Sequence, residues 1–253
     1  MNRIDAIFRD DKKKLMPFIV GGDPSLEMTQ QILLSLDGAG VDVIEIGIPF
    51  SDPIADGPVI AASMHRALQS GVTPSGVLEA VSAVRQQISA GIIAMVSDSI
   101  VRKSGGEAFI ERLANAGFDG IIIPDIDDAH ARPLKEFCVT LDFSFTMLVA
   151  PTTPLPRVRE LAELSTGFLY ILARTGLTGE QTEVPDLDKR IAAIRDVTAL
   201  PLAVGFGIST AAHVGAVHAF AEAAIVGSAL VRRLQETDDP CSAAAKFVQE
   251  ISQ

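Results

Sequence analysis

Short apolar runs alternate with longer amphipathic runs along the whole chain. The apolar runs are rich in Ile, Val and Leu and do not alternate with polar residues, which is typical of strands in a parallel sheet covered on both faces. They predict eight strands, over residues 15–20, 41–46, 92–96, 120–123, 145–149, 168–171, 202–204 and 223–226.

The amphipathic runs between these strands supply the crossover helices that parallel pairing requires. They predict helices over residues 26–39, 76–89, 107–116, 129–141, 156–164, 187–197 and 210–218. Eight strand–helix units close most simply into a (β/α)8 TIM barrel, and 253 residues is a usual length for one. We therefore predict an α/β fold with a single TIM-barrel domain over residues 1–253, the alternative being a doubly wound open sheet.

The composition indicates a globular protein with a large core, since 48% of the residues are hydrophobic and the mean hydropathy is +0.32. The net charge of -11 argues against binding to nucleic acid or to an anionic membrane, because both favour clusters of Lys and Arg. The basic run Lys12-Lys13-Lys14 is predicted to be a solvated connector. No apolar run approaches the ~20 residues of a membrane span, so we expect a cytoplasmic protein.

The cysteines and histidines show no metal-site pattern. Cys138 and Cys241 lie far apart without C-x-x-C spacing, and both are predicted to be buried, inert thiols. The four histidines include no i,i+4 pair. We therefore predict no metal in this chain and structural roles for the histidines.

The loops after the last two predicted strands point to a phosphate site. Residues 205–209 include Gly207, and Gly227-Ser228 precede a short predicted helix over residues 229–234. Glycine lets the backbone approach an anion closely, and amides at a helix N-terminus bind phosphate. The Gly-x-Gly run comes too late in the chain for a dinucleotide fingerprint. Ordinary glycine turns are the alternative.

Two carboxylates lie in and after the second predicted strand. Glu45 is inside an apolar run, where desolvation should raise its pKa toward neutrality and suit it to proton transfer. Asp56 follows in a loop punctuated by Pro and Gly, so the chain can fold back and present a second acid to the same substrate. Alternatively, Glu45 pairs with an arginine and Asp56 caps the helix that starts near Pro58.

Six motifs in the same order resemble the tryptophan synthase α-subunit family over almost the entire chain. They span residues 17–24, 45–57, 124–125, 176–179, 207–209 and 227–229. The resemblance implies the retro-aldol cleavage of indole-3-glycerol phosphate to indole and glyceraldehyde 3-phosphate in tryptophan biosynthesis. It also implies that this lyase reaction uses no metal or organic cofactor in this chain.

By this resemblance, Glu45 is the general acid/base: it protonates indole C3 and helps to deprotonate the glycerol C3 hydroxyl. Asp56 would hold the indole N–H and stabilise the positive charge that develops there. Tyr170 matches the family's tyrosine near the catalytic glutamate, although a tyrosine here could also be a barrel-core aromatic.

The resemblance further implies two groups of substrate-binding residues. The indole pocket would be lined by Phe18, Ile60 and Phe206, although apolar residues at strand ends are more often core packing. The closing loop and the phosphate site would be formed by Thr178, which would meet Asp56, and by Gly179, Gly207, Gly227 and Ser228.

A partner subunit is also implied. The family works with a β subunit that uses pyridoxal phosphate to join indole to serine, in an αββα complex with an indole channel and allosteric coupling. Asp52 and Pro53 would contact this partner. The pyridoxal phosphate would belong to the β subunit, so no cofactor is expected in this chain.

Three segments depart from the family pattern. Around residues 96–99 related chains usually have Tyr or Asn, whereas this chain has Val-Ser-Asp-Ser, which predicts an added carboxylate, Asp98, at the pocket rim. The closing loop is acidic over residues 180–183, and Arg174 before it could offset those acids or pair at the surface. Glu222-Ala223 replaces a more usual Asp-Gly, and we expect no chemical consequence.

Other functions stay open at this point. The chain could act as a stand-alone indole-releasing lyase, or as a weakly catalytic regulatory or binding subunit of a β partner, which Asp98 and the acidic loop favour. Another phosphate-binding barrel, such as an indole-glycerol-phosphate synthase or a phosphoribosyl isomerase, is disfavoured because no lysine lies within a predicted strand end.

Overall fold

The computed structural model describes residues 2–52, 57–173, 187–205 and 207–252. Its strands are β1 (Lys14–Val20), β2 (Val43–Gly47), β3 (Gly91–Met95), β4 (Gly120–Ile122), β5 (Ser144–Thr146), β6 (Leu148–Val149), β7 (Leu169–Leu172), β8 (Leu202–Gly205) and β9 (Ala223–Val226). Paired neighbours are parallel, and the nine strands form one sheet in the order β5-β4-β3-β2-β1-β9-β8-β7-β6.

The predicted fifth strand is present as two pieces, β5 and β6, separated by Met147. These pieces are the two ends of the sheet order, so the chain itself closes the barrel between them. The break has a local cause: the N–H of Phe145 donates to Thr166 Oγ1 (2.8 Å), and the N–H of Met147 donates to Ser165 Oγ (3.0 Å). The barrel is confirmed, and only its fifth strand differs from the prediction.

Twelve α-helices occur among the described residues. They are α1 (Arg3–Ile7), α2 (Leu26–Gly38), α3 (Pro58–Gln69), α4 (Pro74–Val84), α5 (Asp98–Lys103), α6 (Glu107–Ala116), α7 (Asp128–Thr140), α8 (Leu155–Leu164), α9 (Leu187–Arg195), α10 (Ala211–His218), α11 (Ser228–Gln235) and α12 (Pro240–Ile251). The helix predicted over 76–89 ends earlier, in a 3-10 turn at Arg85–Gln87. The apolar pattern predicts neither α5 nor α12.

Successive side chains of each strand face two different apolar layers. On β2, Ile44 and Ile46 belong to the outer layer between sheet and helices, whereas Val43 belongs to the inner cluster that fills the barrel. Helix α1 closes the N-terminal end of the barrel, where Ile4 is fully buried in that inner cluster. The C-terminal end of the barrel is therefore the end that can hold a substrate.

A buried ion pair stabilises the N-terminal end. Arg85 donates to Asp119 Oδ2 (2.9 Å) and to the carbonyls of Ile88 and Ala90, and Asp119 Oδ2 also accepts the N–H of Ile92 (2.8 Å). This network ties α4 to β3 and β4, opposite to the barrel mouth.

The basic run is only partly a solvated connector: Lys12 and Lys13 are exposed, as predicted, but Lys14 enters the barrel wall. Lys13 Nζ donates to the carbonyl of Ala221 (2.9 Å), and Lys14 begins β1 and pairs with Asp10. Lys14 is thus a strand lysine that the prediction missed. Its position at the N-terminal end of β1 keeps its amine away from the mouth, so it does not favour a lysine-dependent barrel enzyme.

Glu222, which was predicted to have no chemical consequence, has a structural one. Its carboxylate accepts a hydrogen bond from Arg195 and from the N–H of Leu202 (2.7 Å). It therefore joins α9 to the first residues of β8 and β9.

We expect Glu222→Gln to lower the thermal unfolding midpoint at neutral pH and to have a progressively smaller effect as the pH falls below about 4.3. Burial opposes ionisation of this carboxyl, but the hydrogen bonds from Arg195 and the Leu202 amide outweigh it and hold the pKa of Glu222 below its usual range. A depressed pKa contributes stability above the unfolded-state value of about 4.3, and this stability is lost as the pH falls through the folded-state value. Thermal unfolding of both proteins across this range checks the expectation. A difference that does not shrink in acid would contradict it.

The cysteines differ from each other. Cys138 is buried, as predicted, and burial raises the pKa of its thiol to about 12, so it is inert at neutral pH. Cys241 on α12 is partly exposed, contrary to the prediction.

Among the described residues, no helix is long and apolar enough to cross a membrane.

Candidate active site

Glu45 lies on the inner face of β2, near the end of the strand that opens at the barrel mouth. It alternates with Ile44 and Ile46, which face the helices, and it is 0% exposed. Its register places it between Phe18 on β1 and Ile93 on β3. The prediction of a desolvated carboxylate inside the barrel is confirmed.

Tyr170 also lies inside the barrel, across the mouth from β2. It belongs to the inner cluster, is 7% exposed, and registers between Leu148 on β6 and Ala203 on β8. Tyr170 therefore packs in the barrel core and also lies near the mouth.

Two glycines make room for aromatic side chains at the mouth. A Cβ at Gly47 would lie 2.6 Å from Phe18 Cζ, so the ring of Phe18 occupies the position just above Glu45. A Cβ at Gly205 would lie 2.5 Å from the Tyr170 hydroxyl. The sequence pattern assigned these glycines only to strand ends and turns. Their spatial role follows from the pairing of β1 with β2 and of β7 with β8.

Three of the predicted phosphate residues, Gly207, Gly227 and Ser228, directly follow β8 and β9, which are neighbours in the sheet. Gly207 has φ +76, a conformation that favours glycine. Gly227 precedes α11, and Ser228 is the first residue of that helix. The first amides of α11 have no acceptor within the helix, and the helix dipole favours an anion there. The arrangement fits a phosphate group.

Strand β1 alone separates this anion site from Glu45, since β9 pairs with β1 and β1 pairs with β2. Phe18 on β1 lies between them, with its Cβ 3.6 Å from where a Cβ of Gly227 would be. The candidate anion site and the buried carboxylate therefore lie on nearby strands of the barrel. Ile60, on α3, is 4% exposed and belongs to the outer core.

Asp98, predicted to add a carboxylate at the pocket rim, is bound by neighbouring side chains. It is in the first turn of α5 and is 8% exposed. Its carboxylate accepts Arg102 Nε (2.6 Å) and lies 2.5 Å from His130 Nδ1. Its charge is compensated locally, because the helix that follows β3 supplies one partner and α7 supplies the other.

Several predicted site residues lie outside the described ranges: Pro53, Asp56, Arg174, Thr178, Gly179, the acidic segment 180–183 and Phe206. Asp52, predicted to touch a partner, is described and exposed. Within the described ranges, no group of three or more His, Cys, Asp or Glu side chains could hold a metal ion.

A family model described as tryptophan synthase alpha chain matches residues 5–253. The chain belongs to the tryptophan synthase alpha chain family. Among curated members, the Synechococcus sp. protein is 41% identical over 234 residues, covering 92% of this chain and 87% of its own length. The Thermosynechococcus vestitus protein is 41% identical over 239 residues, with 94% and 90% covered.

Solved structures support the same family assignment. Tryptophan synthase from Mycobacterium tuberculosis superposes with a TM-score of 0.89 at 28% identity, covering 99% of this chain and 95% of that one. The tryptophan synthase A-subunit from Pyrococcus furiosus has a TM-score of 0.88 at 31% identity, covering 94% and 97%. The family predicted from the six motifs is confirmed, as is the TIM barrel.

Proposed function

We propose that this chain cleaves indole-3-glycerol phosphate to indole and glyceraldehyde 3-phosphate, with Glu45 as the group that transfers the protons. Its family makes it a carbon–carbon lyase of tryptophan biosynthesis. The observation that carries the role of Glu45 is its position: a carboxylate with no exposed surface on the inner face of β2, one strand away from an anion site.

The chemistry requires one group that can both give and accept a proton. Glu45 protonates indole C3, which gives an indolenine with positive charge at nitrogen. The bond between indole C3 and the glycerol carbon then breaks, and its electron pair returns to the ring. The glycerol hydroxyl on that carbon loses its proton to Glu45 and becomes the aldehyde. Glu45 ends in its starting state, and no redox partner or cofactor is consumed.

Asp56 and Tyr170 are proposed to assist Glu45. Asp56 directly precedes Gly57, which caps α3, and its carboxylate would bind the indole N–H and stabilise the nitrogen charge. Tyr170 would contact the substrate through its hydroxyl, which lies against Gly205 at the mouth. Thr178 would hold Asp56 from the closing loop.

The two ends of the substrate are assigned to opposite sides of Phe18. The phosphate would be bound by Gly179, Gly207, Gly227 and Ser228, using amides, a hydroxyl and the N-terminus of α11. The indole would lie among Phe18, Ile60 and Phe206. This division agrees with Phe18 standing between the anion site and Glu45.

The partner of this α chain is a β subunit, which carries the pyridoxal phosphate of the complex. We place the contact at Asp52 and Pro53, because Asp52 is exposed directly after the strand that bears Glu45. We also place the protein in the cytoplasm, where the small metabolites of amino-acid biosynthesis are available.

We expect Gly205→Ala to lower kcat for indole release and to lower stability by about 1–3 kcal/mol, the usual cost of overpacking. The added methyl group would sit 2.5 Å from the Tyr170 hydroxyl, so the ring must move. Gly215→Ala on α10 is the matched control, since its Cβ would meet nothing within 4 Å. Steady-state kinetics and chemical unfolding of both variants check this. Equal effects of the two substitutions would contradict it.

A comparison of wild type and Glu45→Gln, each with and without a β subunit, tests the proposed function against a purely regulatory role. If the chain is a lyase, the wild-type protein releases indole from indole-3-glycerol phosphate and the Glu45→Gln variant does not. A regulatory subunit would instead raise the β subunit's activity equally in both forms while neither form releases indole.

A further inference from the structure

The carboxylate of Asp23, in the loop after β1, binds two side chains of helix α3 at the mouth end of the barrel. Arg66 Nε donates to Asp23 Oδ1 (3.1 Å), and Arg66 Nη2 donates to Asp23 Oδ2 (2.5 Å). The hydroxyl of Ser63 also donates to Asp23 Oδ2. The Asp23 side chain is only 9% exposed, whereas that of Arg66 is 41% exposed, so the pair is partly solvated and acts mainly through its directional, charge-assisted hydrogen bonds.

Both donors come from α3, and they are one turn apart on the helix. A planar guanidinium that binds a carboxylate with two nitrogens fixes direction as well as distance. Because the one carboxylate binds two side chains that lie one turn apart on α3, it fixes both the rotation of the helix about its axis and its position along that axis. An apolar contact alone would allow the helix to slide or rotate by small amounts.

The loop that carries Asp23 is held by hydrogen bonds of its own, so it can fix the position of α3. The N–H of Gly21 donates to the carbonyl of Gly47 (3.0 Å), and the N–H of Gly22 donates to Thr29 Oγ1 (2.8 Å). Gly22 has φ +85, and a Cβ there would lie 2.5 Å from a methyl group of Val72. The loop is thus fixed to β2 and α2 independently of Asp23.

The buried face of α3 brings Met64 next to Gly47, which follows Glu45 by two residues on β2. Ile60, Ser63 and Met64 are all buried, at the spacing of one helix face. The methyl carbon of Met64 lies 3.4 Å from where a Cβ of Gly47 would be, and the ring of Phe18 lies over the same glycine. A displacement of α3 would therefore move the apolar wall beside Glu45.

We propose that Asp23, Ser63 and Arg66 are positioning residues that set the indole half of the substrate pocket by fixing α3. They touch no reacting atom and act through Ile60, Met64 and Phe18. The proposal rests on the proposed lyase function and adds to it a specific prediction: the three residues affect binding of indole more strongly than binding of the phosphate half. Helix α3 also packs against α11, but the phosphate would be bound by backbone amides and a hydroxyl at the ends of β8 and β9.

The reverse reaction separates the two halves, since it joins indole to glyceraldehyde 3-phosphate. We expect Arg66→Met to raise the KM for indole on the order of 10-fold, because sub-ångström to ångström misplacement has effects of this size or larger. The KM for glyceraldehyde 3-phosphate should rise by a clearly smaller factor. Arg66→Lys keeps the charge but loses the fork and should give an intermediate KM for indole.

Arg85→Lys is the matched control, because it weakens a buried arginine–carboxylate pair at the opposite end of the barrel. It should lower stability without separating the two KM values. All proteins are assayed well below their unfolding midpoints, as determined by circular dichroism. Should Arg66→Met fail to fold, Ser63→Ala and Arg66→Lys carry the same comparison.

The experiment distinguishes a failure of the proposed lyase function from a failure of the positioning role. If wild type neither forms nor cleaves indole-3-glycerol phosphate, the proposed function is wrong. If wild type is active but the Arg66 variants change both KM values equally, or neither, or behave like Arg85→Lys, the positioning role is wrong and the lyase function stands.

Discussion

Glu45→Gln should lower kcat for the cleavage of indole-3-glycerol phosphate by at least about 10²-fold, because a positioned acid/base contributes about 10²–10⁴ in rate. Glutamine has nearly the same shape but can neither protonate indole C3 nor accept the hydroxyl proton. The substitution removes an interaction that acts on proton transfer, so kcat should fall far more than KM rises. Steady-state assays of indole release measure both.

The control for this variant is Glu79→Gln, the same change at an exposed position on α4. It should leave kcat and KM unchanged. Retention of more than about a tenth of wild-type kcat by Glu45→Gln would contradict the assignment of Glu45 as the acid/base.

Asp119→Ala should cost about 3–5 kcal/mol of unfolding free energy, the usual effect of removing one partner of a buried ion pair. Arg85 is 8% exposed and would keep its charge in an apolar place without its carboxylate. Burial already raises the pKa of Asp119, which shows that desolvation opposes the pair. The loss therefore reflects the unpaired arginine and the unsatisfied N–H of Ile92 more than a large net gain from the pair itself.

Asp128→Ala provides the comparison, since it breaks the pair with Arg157, in which both side chains are at least 33% exposed. An exposed pair should contribute less than about 1 kcal/mol. Chemical unfolding at neutral pH measures both variants. Equal losses would show that burial does not set the strength of the effect at Asp119.

Much of the fold is predictable from the sequence, because strands that are buried on both faces consist mostly of apolar residues. The runs over residues 15–20 and 223–226 are apolar throughout, and the positions of β1 and β9 are predicted closely. The division of the fifth strand is not predictable in the same way, because it depends on hydroxyls of Ser165 and Thr166 that arrive from the next loop. Helix α12 is marked in the sequence by Asp239 at its N-cap and Pro240 in its first turn, signals that apolar periodicity alone does not include.

The site was only partly predictable. Strand alternation places Glu45 inside the barrel, and the position of Gly227 before a short helix predicts an anion site. The sequence does not reveal that Gly205 accommodates Tyr170, because that depends on the register of β7 with β8. Nor does it reveal the partners of Asp98, since His130 approaches from a helix 32 positions away in the chain.

The most direct test of the central claim is to incubate the purified chain with indole-3-glycerol phosphate, with and without a β subunit, and to measure both products. We expect indole and glyceraldehyde 3-phosphate in equal amounts from the chain alone, and consumption of the indole when the β subunit and serine are present. Absence of both products under both conditions would contradict the account.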